Sequence, residues 1–261
     1  MTAALLGAND PSPVQVINPG GASPFLLIGD HAGKLVPESL AGLGLPPQEL
    51  ARHIGWDIGI GELGPMLAEA LDAVFVRQTY SRLVIDCNRD PARADAMPEV
   101  SDLTVVPGNR DLDAAQRAAR VAVIHTPYQE AIGAEIARRD AAGQGTILVA
   151  LHSFTPMLRS AGQTVTRPWE IGVLHDGGDT AFAQALLAAL RADDTLTVGD
   201  NEPYSMDAID YTVPRHAYPA RRPYAEIEVR QDLIGTAAGC ADWSARLAAV
   251  LRAAASGIGG R

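Results

Sequence analysis

The feature that most constrains this chain is a series of short apolar runs, each too short for a helix and most of them ending on polar residues. PFLLIG (24–29), AVFVRQ (73–78), RLVID (82–86), ILVAL (147–151), EIGVLH (170–175), LTVGD (196–200) and AEIEVRQ (225–231) are rich in β-branched side chains and read as buried strands. Between them lie segments of helical spacing: 46–53, 57–70, 111–141 with a bend expected at Pro127, 181–192, and about 236–255. Strands that alternate with helices bury both faces of a sheet, which predicts an α/β fold, a three-layer αβα sandwich with a mixed, largely parallel sheet. One domain over 1–261 is expected, with no internal repeat. Residues 1–22, rich in Pro, Gly and Asn, read as a loose entry arm. Residues 87–110 read as a long polar loop, a kind that is usually functional.

Composition limits the partners. The chain carries 21 basic against 31 acidic residues, a net charge of −10, which argues against nucleic acid or an anionic membrane. No apolar run approaches the length of a membrane span and no leader is evident, so neither a span nor a signal peptide is expected. Cys87 and Cys240 lack ligand spacing, and two thiols in 261 residues suggest a reducing compartment, with cytoplasm as the expectation. Lys34 is the sole lysine. The arginines include several outside helices, at 82, 89, 110, 215, 221 and 222, and the guanidinium fork suits carboxylates.

In open α/β sheets, ligands gather at the carboxyl ends of the strands. Here those ends carry Asp30-His31, Cys87-Asn88-Arg89 and His152-Ser153, while period-two alternation puts Glu226, Glu228 and Arg230 on one face. Metal-assisted hydrolysis uses such a set. A catalytic zinc takes three protein ligands and keeps a position for water, whose pKa it lowers. A carboxylate removes the water's proton, and guanidinium and amide groups hold the substrate. Blander readings stand beside this one. His31 fits a turn, Glu228 fits an ion pair with Arg230, and Asn88-Arg89 fits the start of a turn before Pro91. His53, His125, His175 and His216 read as structural or surface histidines. Ser153 beside His152 suggests a serine hydrolase, but no G-x-S-x-G elbow occurs.

The blocks DHAGKLVPESL, HIGWDIGIGELG, SRLVIDCNRDP, LHSFTP and EIEVRQDLI, in this order over roughly 24–234, resemble the N-formylglutamate amidohydrolase family. That family is similar in fold to the zinc carboxypeptidases (zinc exopeptidases) and aspartoacylase. The resemblance implies one Zn2+ per chain on His31 and His152, Glu228 as general base, and Arg82, Asn88 and Arg89 gripping a substrate carboxylate. Zinc carboxypeptidases use His-x-x-Glu, and Lys34 stands where that glutamate would be. The third metal ligand is therefore sought elsewhere, in Asp57, with Glu38 as rival. The implied reaction is hydrolysis of a small acidic N-acyl amino acid, foremost N-formyl-L-glutamate to glutamate and formate. Its second carboxylate calls for another basic group, with Arg110, Arg159, Arg215, Arg221 and Arg222 as candidates. A carboxypeptidase-like hydrolase of short peptides and a non-catalytic carboxylate-binding protein are the alternatives.

Overall fold

A computed structural model describes residues 4–160 and 163–258. Its strands are β1 (Val14–Ile17), β2 (Phe25–Gly29), β3 (Val74–Gln78), β4 (Val100–Ser101), β5 (Thr104–Val105), β6 (Ile147–Phe154), β7 (Met157–Ser160), β8 (Gln163–Thr166), β9 (Ile171–Leu174), β10 (Val198–Asp200) and β11 (Tyr224–Arg230). The α-helices are α1 (Pro47–Leu50), α2 (Ile60–Leu71), α3 (Ala114–Arg120), α4 (Thr126–Ala141), α5 (Ala181–Arg191), α6 (Thr212–His216) and α7 (Ala237–Ile258). Among the described residues, seven strands form one mixed sheet in the order β1-β3-β2-β6-β11-β9-β10. The central β3, β2, β6 and β11 run parallel, and β1 and β9 join them antiparallel. Among the described residues, no helix is long and apolar enough to cross a membrane.

Alternation along each strand divides the core. Leu27, Val149, Leu151, Ile227 and Val229 point to one face, where α2, α5 and α7 cover them with Leu63, Leu67, Phe182, Leu186, Leu247 and Leu251. Leu26, Ile28, Leu148, Ala150 and Tyr224 point to the other, where α4 supplies Tyr128 and Ile132 and irregular segments supply Leu83, Val84, Ile85, Met97 and Met206. On this second face the strands change character near their carboxyl ends. Leu26-Ile28 leads to Asp30, Leu148-Ala150 to His152, and Tyr224 to Glu226 and Glu228, all buried.

Several expectations are corrected. RLVID is not a strand. Its Leu83, Val84 and Ile85 are fully buried, but the backbone turns, with the Val84 N–H on the Ser81 carbonyl and the Asp86 N–H on that of Ala96. An apolar run can thus bury itself without a pairing partner. Part of the expected entry arm is β1, which pairs with β3 from Val14 opposite Gln78 to Ile17 opposite Phe75. The helical stretch after 111 is interrupted earlier than its proline suggests, because Val121–His125 form a π-helical turn ahead of Pro127. Pro127 has no N–H for the preceding turn, which is where such a widening relieves the ladder. Two small hairpins, β4–β5 and β7–β8, rise from segments without periodic signal.

Candidate active site

Three buried side chains converge where β2 and β6 end. The Asp57 N–H donates to the His31 carbonyl at 2.9 Å, so the loop after β2 is tied directly to the segment that precedes α2. The Ser153 hydroxyl donates to the Ile58 carbonyl at 2.9 Å, and the Ser153 N–H reaches the Asp57 carboxylate at 3.3 Å, which ties in β6. Gly59 lets the chain enter α2 there. It sits at φ 91°, and a Cβ would lie 2.4 Å from the Ile234 carbonyl oxygen, so only glycine fits the conformation and the space.

His31, Asp57 and His152 form a group able to hold a metal ion, with one ligand atom from each lying within 4.8 Å of the others. Asp57 Oδ2 is 2.9 Å from His152 Nδ1 and 3.5 Å from His31 Nδ1. The far side of each ring faces a carboxylate. His31 Nε2 is 2.7 Å from Asp86 Oδ1, and His152 Nε2 is 3.4 Å from Asp30 Oδ2. Such carboxylate–imidazole pairs fix ring orientation behind metal sites. Asp86 is in turn held by the Arg82 guanidinium at 2.6 and 3.1 Å and by the Asn88 N–H at 2.9 Å, while Asp30 accepts from the Thr212 hydroxyl at 2.5 Å. The buried His31 Nδ1 has no hydrogen-bond partner among the described residues. That orphaned nitrogen and a two-histidine, one-carboxylate donor set fit a hydrolytic metal ion. Glu38, the rival to Asp57, lies exposed and away from this group, its N–H on Asp10.

Glu228 stands beside His152 because the two are register partners on adjacent parallel strands, as are Glu226 and Ala150. Burial pushes the Glu228 carboxyl up to about 8, against the pull of His152, Arg82 and Arg167 and with the Asp57 charge adding to it. Burial likewise pushes Glu226 up to about 8. His152 moves upward too. Burial alone would lower it, but Glu226, Asp30 and Asp57 outweigh burial and carry the imidazole well above its ordinary value. Asp57 goes down, since His31 and His152 overcome the burial that would raise it.

These groups line a cavity of about 350 Å³ together with Arg82, Asn88, Arg89, His53, Tyr204 and Asp210. Arg82 is occupied by Asp86 and lies 3.6 Å from Asp57 Oδ1. The Asn88 amide is engaged at both ends: its oxygen accepts from the Tyr211 and Thr212 N–H groups, and its nitrogen donates to Asp210 at 3.1 Å. Arg89 donates to the Asn88 carbonyl and faces Asp210 and Asp95 only at 3.8 and 3.7 Å. Of the five further arginines considered, Arg110, Arg215 and Arg221 are exposed, and Arg222 pairs with Asp140. The side chain of Arg159 lies outside the described residues. Sequence reasoning missed Asp30 and Asp86 as the groups behind the histidines, though each is a neighbour of a quoted motif residue. It read His53, which lines the cavity, as a structural or surface histidine, and it passed over Arg167, Tyr204 and Asp210, which lie in stretches without periodicity.

A polar cleft with paired histidines and buried carboxylates at the strand ends of an α/β sandwich has the make-up of a hydrolase site. The lineage is narrower than that class. The sequence model of N-formylglutamate amidohydrolase matches residues 23–235, and this chain belongs to that family of amidohydrolases. Among solved structures it is similar to a gene product of Agrobacterium tumefaciens, with 36% identity over 97% of this chain and 99% of that one and a TM-score of 0.92. It is also similar in fold to N-formylglutamate amidohydrolase from Ralstonia eutropha, with 21% identity, 94% and 98% of the two chains covered and a TM-score of 0.70. No curated protein matches the chain.

Proposed function

We propose that the protein is a zinc-dependent amidohydrolase that releases formate, or another small acyl group, from an N-acylated acidic amino acid, foremost N-formyl-L-glutamate. The observation that carries this reading is the buried His31–Asp57–His152 group with Glu228 as the strand-register partner of His152. His31, Asp57 and His152 would hold the ion. Bound zinc supplies a Lewis acid that lowers the pKa of water and polarises an amide carbonyl.

The chain's own residues do the rest. Glu228, whose Oε2 has no hydrogen-bond partner among the described residues and which faces the cavity, accepts a proton from the attacking water. A C–O bond forms at the acyl carbon, the C–N bond breaks, and Glu228 returns the proton to the departing amine. Arg89, whose nearest carboxylates stay beyond hydrogen-bond distance, takes the α-carboxylate. Arg82 and Asn88 complete that grip, Arg82 while clamping Asp86 and Asn88 while pinning the start of α6. Asp86 and Asp30 keep the two imidazoles in their orientation.

The deciding experiment measures metal content and N-formyl-L-glutamate turnover, before and after chelation and after zinc return. One zinc per chain and chelator-sensitive formate release are expected. Full turnover in protein stripped of metal would refute the zinc assignment, and zinc without turnover would move the substrate elsewhere.

A further inference from the structure

Three arginines of the described chain are almost completely buried, and two of them have evident partners. Arg139 pairs with Glu135 and donates to the Ser23 and Phe25 carbonyls. Arg120 donates to the Val84 and Gly108 carbonyls and to the Asn109 amide oxygen. Arg167 is 5% exposed, yet among the described residues no carboxylate lies within salt-bridge distance of it. Its Nη1 donates to the Tyr204 hydroxyl oxygen at 2.8 Å and, at 3.5 Å, to the Thr155 carbonyl. Its guanidinium carbon lies 4.6 Å from the Tyr204 ring centroid and 6.0 Å from that of Phe154. Arg120 also lacks a carboxylate but is satisfied by three protein oxygens, whereas among the described residues Arg167 is bonded only through Nη1. A buried cation so sparsely paired is costly unless something arrives to pair with it.

What surrounds Arg167 points to where that anion comes from. Phe154, Thr155 and Tyr204, which its guanidinium bonds or stacks against, all line the active-site cavity. Its charge is felt inside the cavity, where it draws both Glu228 and His53 downward. The Tyr204 hydroxyl accepts from Arg167 and so keeps its own proton to donate. Arg82 and Arg89 are assigned above to the α-carboxylate, and Arg167 stands on a different segment of the chain. We propose that Arg167, with the Tyr204 hydroxyl it holds, anchors the second, side-chain carboxylate of a dicarboxylic N-acyl amino acid and so sets the preference for acidic substrates. This rests on the amidohydrolase reading above and adds to it the residues that select the side chain.

The test compares N-formyl-L-glutamate with its uncharged isostere N-formyl-L-glutamine in wild type, Arg167→Met, Arg167→Lys and Tyr204→Phe. Arg167→Met is expected to raise KM for the glutamate substrate by about tenfold to a hundredfold, the range for losing hydrogen bonds to a charged group. The loss on the glutamine substrate is expected to be about tenfold smaller, so the ratio of kcat/KM between the two collapses. Tyr204→Phe and Arg167→Lys shift the ratio the same way by less, and they carry the test if the methionine variant does not fold. Equal losses on both substrates would make Arg167 a staple for the Tyr204 segment and overturn the proposal. So would an unchanged ratio. If wild type hydrolyses neither compound, the amidohydrolase reading has failed separately. Calorimetric titration with the same two compounds then decides: a glutamate preference that vanishes in Arg167→Met supports the anchor, and no preference in wild type refutes it.

Discussion

The two faces of the sheet are made by the same strands, residue by alternate residue, and they differ in what covers them. One is covered by α2, α5 and α7, whose apolar stripes meet Leu27, Val149, Leu151 and Ile227, with no buried carboxylate on these helices among the described residues. The other begins equally apolar under α4 but ends in Asp30, His152, Glu226 and Glu228, beneath segments held by turns and side-chain hydrogen bonds. The helical face therefore carries stability that demands nothing of chemistry. The irregular face gives up part of its packing to bury groups whose protonation matters.

Replacements on each face break this division or sharpen it. The largest effect is expected from Glu228→Gln, which should lower kcat by about a hundredfold to ten-thousandfold in single-turnover or steady-state assays, the range for a lost general base. Zinc content should stay unchanged. In metal-free protein the same variant should gain relative stability at alkaline pH. Between the ordinary value of 4.5 and the folded value of about 8, the unfolded chain releases the Glu228 proton while the folded chain keeps it. Wild-type stability from this group therefore falls as pH rises through that window, and glutamine has no proton to lose. Melting curves at pH 5 and pH 9 check the sign. A variant that keeps near-wild-type turnover would remove Glu228 from the reaction.

Next in size is Phe182→Ala on the helical face, expected to cost about 3–5 kcal/mol in denaturant unfolding through the cavity it leaves. Its kcat per folded molecule should not change. A fall in kcat comparable with that of Glu228→Gln would mean the faces are coupled. The smallest effect concerns His216 on α6, held at about 4 because burial disfavours its charged form and Arg215 adds repulsion. Its Nε2 lies 2.8 Å from the Gln129 side-chain oxygen. The unfolded histidine binds a proton as pH drops below 6.5 while the folded one does not, so stability falls as pH falls from 6.5 toward 4. His216→Gln should flatten that acid limb in pH-dependent melts and leave neutral-pH stability within about 1 kcal/mol. An unchanged limb would place the acid sensitivity elsewhere.

The same contrast explains what could be read in advance. The helical face was legible because period-two strands meet period-3.6 helices, and the strand runs around 25–29, 147–154 and 224–230 stand where the sequence suggests. His31 and His152 stood out as polar residues at the ends of such runs and Glu228 by its place in the period-two alternation, while the roles expected of them came from the family resemblance. Asp57 was weaker, one of two candidates, and only geometry separates it from exposed Glu38. The irregular face hid more. Leu83, Val84 and Ile85 look like a strand because burial, not pairing, selects their side chains. Arg167, Tyr204 and Asp210 sit in stretches whose conformation is set by contacts distant in sequence, such as Asn88 holding the N–H groups of Tyr211 and Thr212.

The register between β6 and β11 has a practical consequence. Because His152 and Glu228 are opposed on neighbouring hydrogen-bonded strands, their spacing belongs to the ladder and not to any connecting segment. The β4–β5 and β7–β8 hairpins, and the stretch that carries Tyr204, lie outside that ladder. A change in those segments therefore leaves the distance between these two side chains to the hydrogen bonds that join β6 and β11.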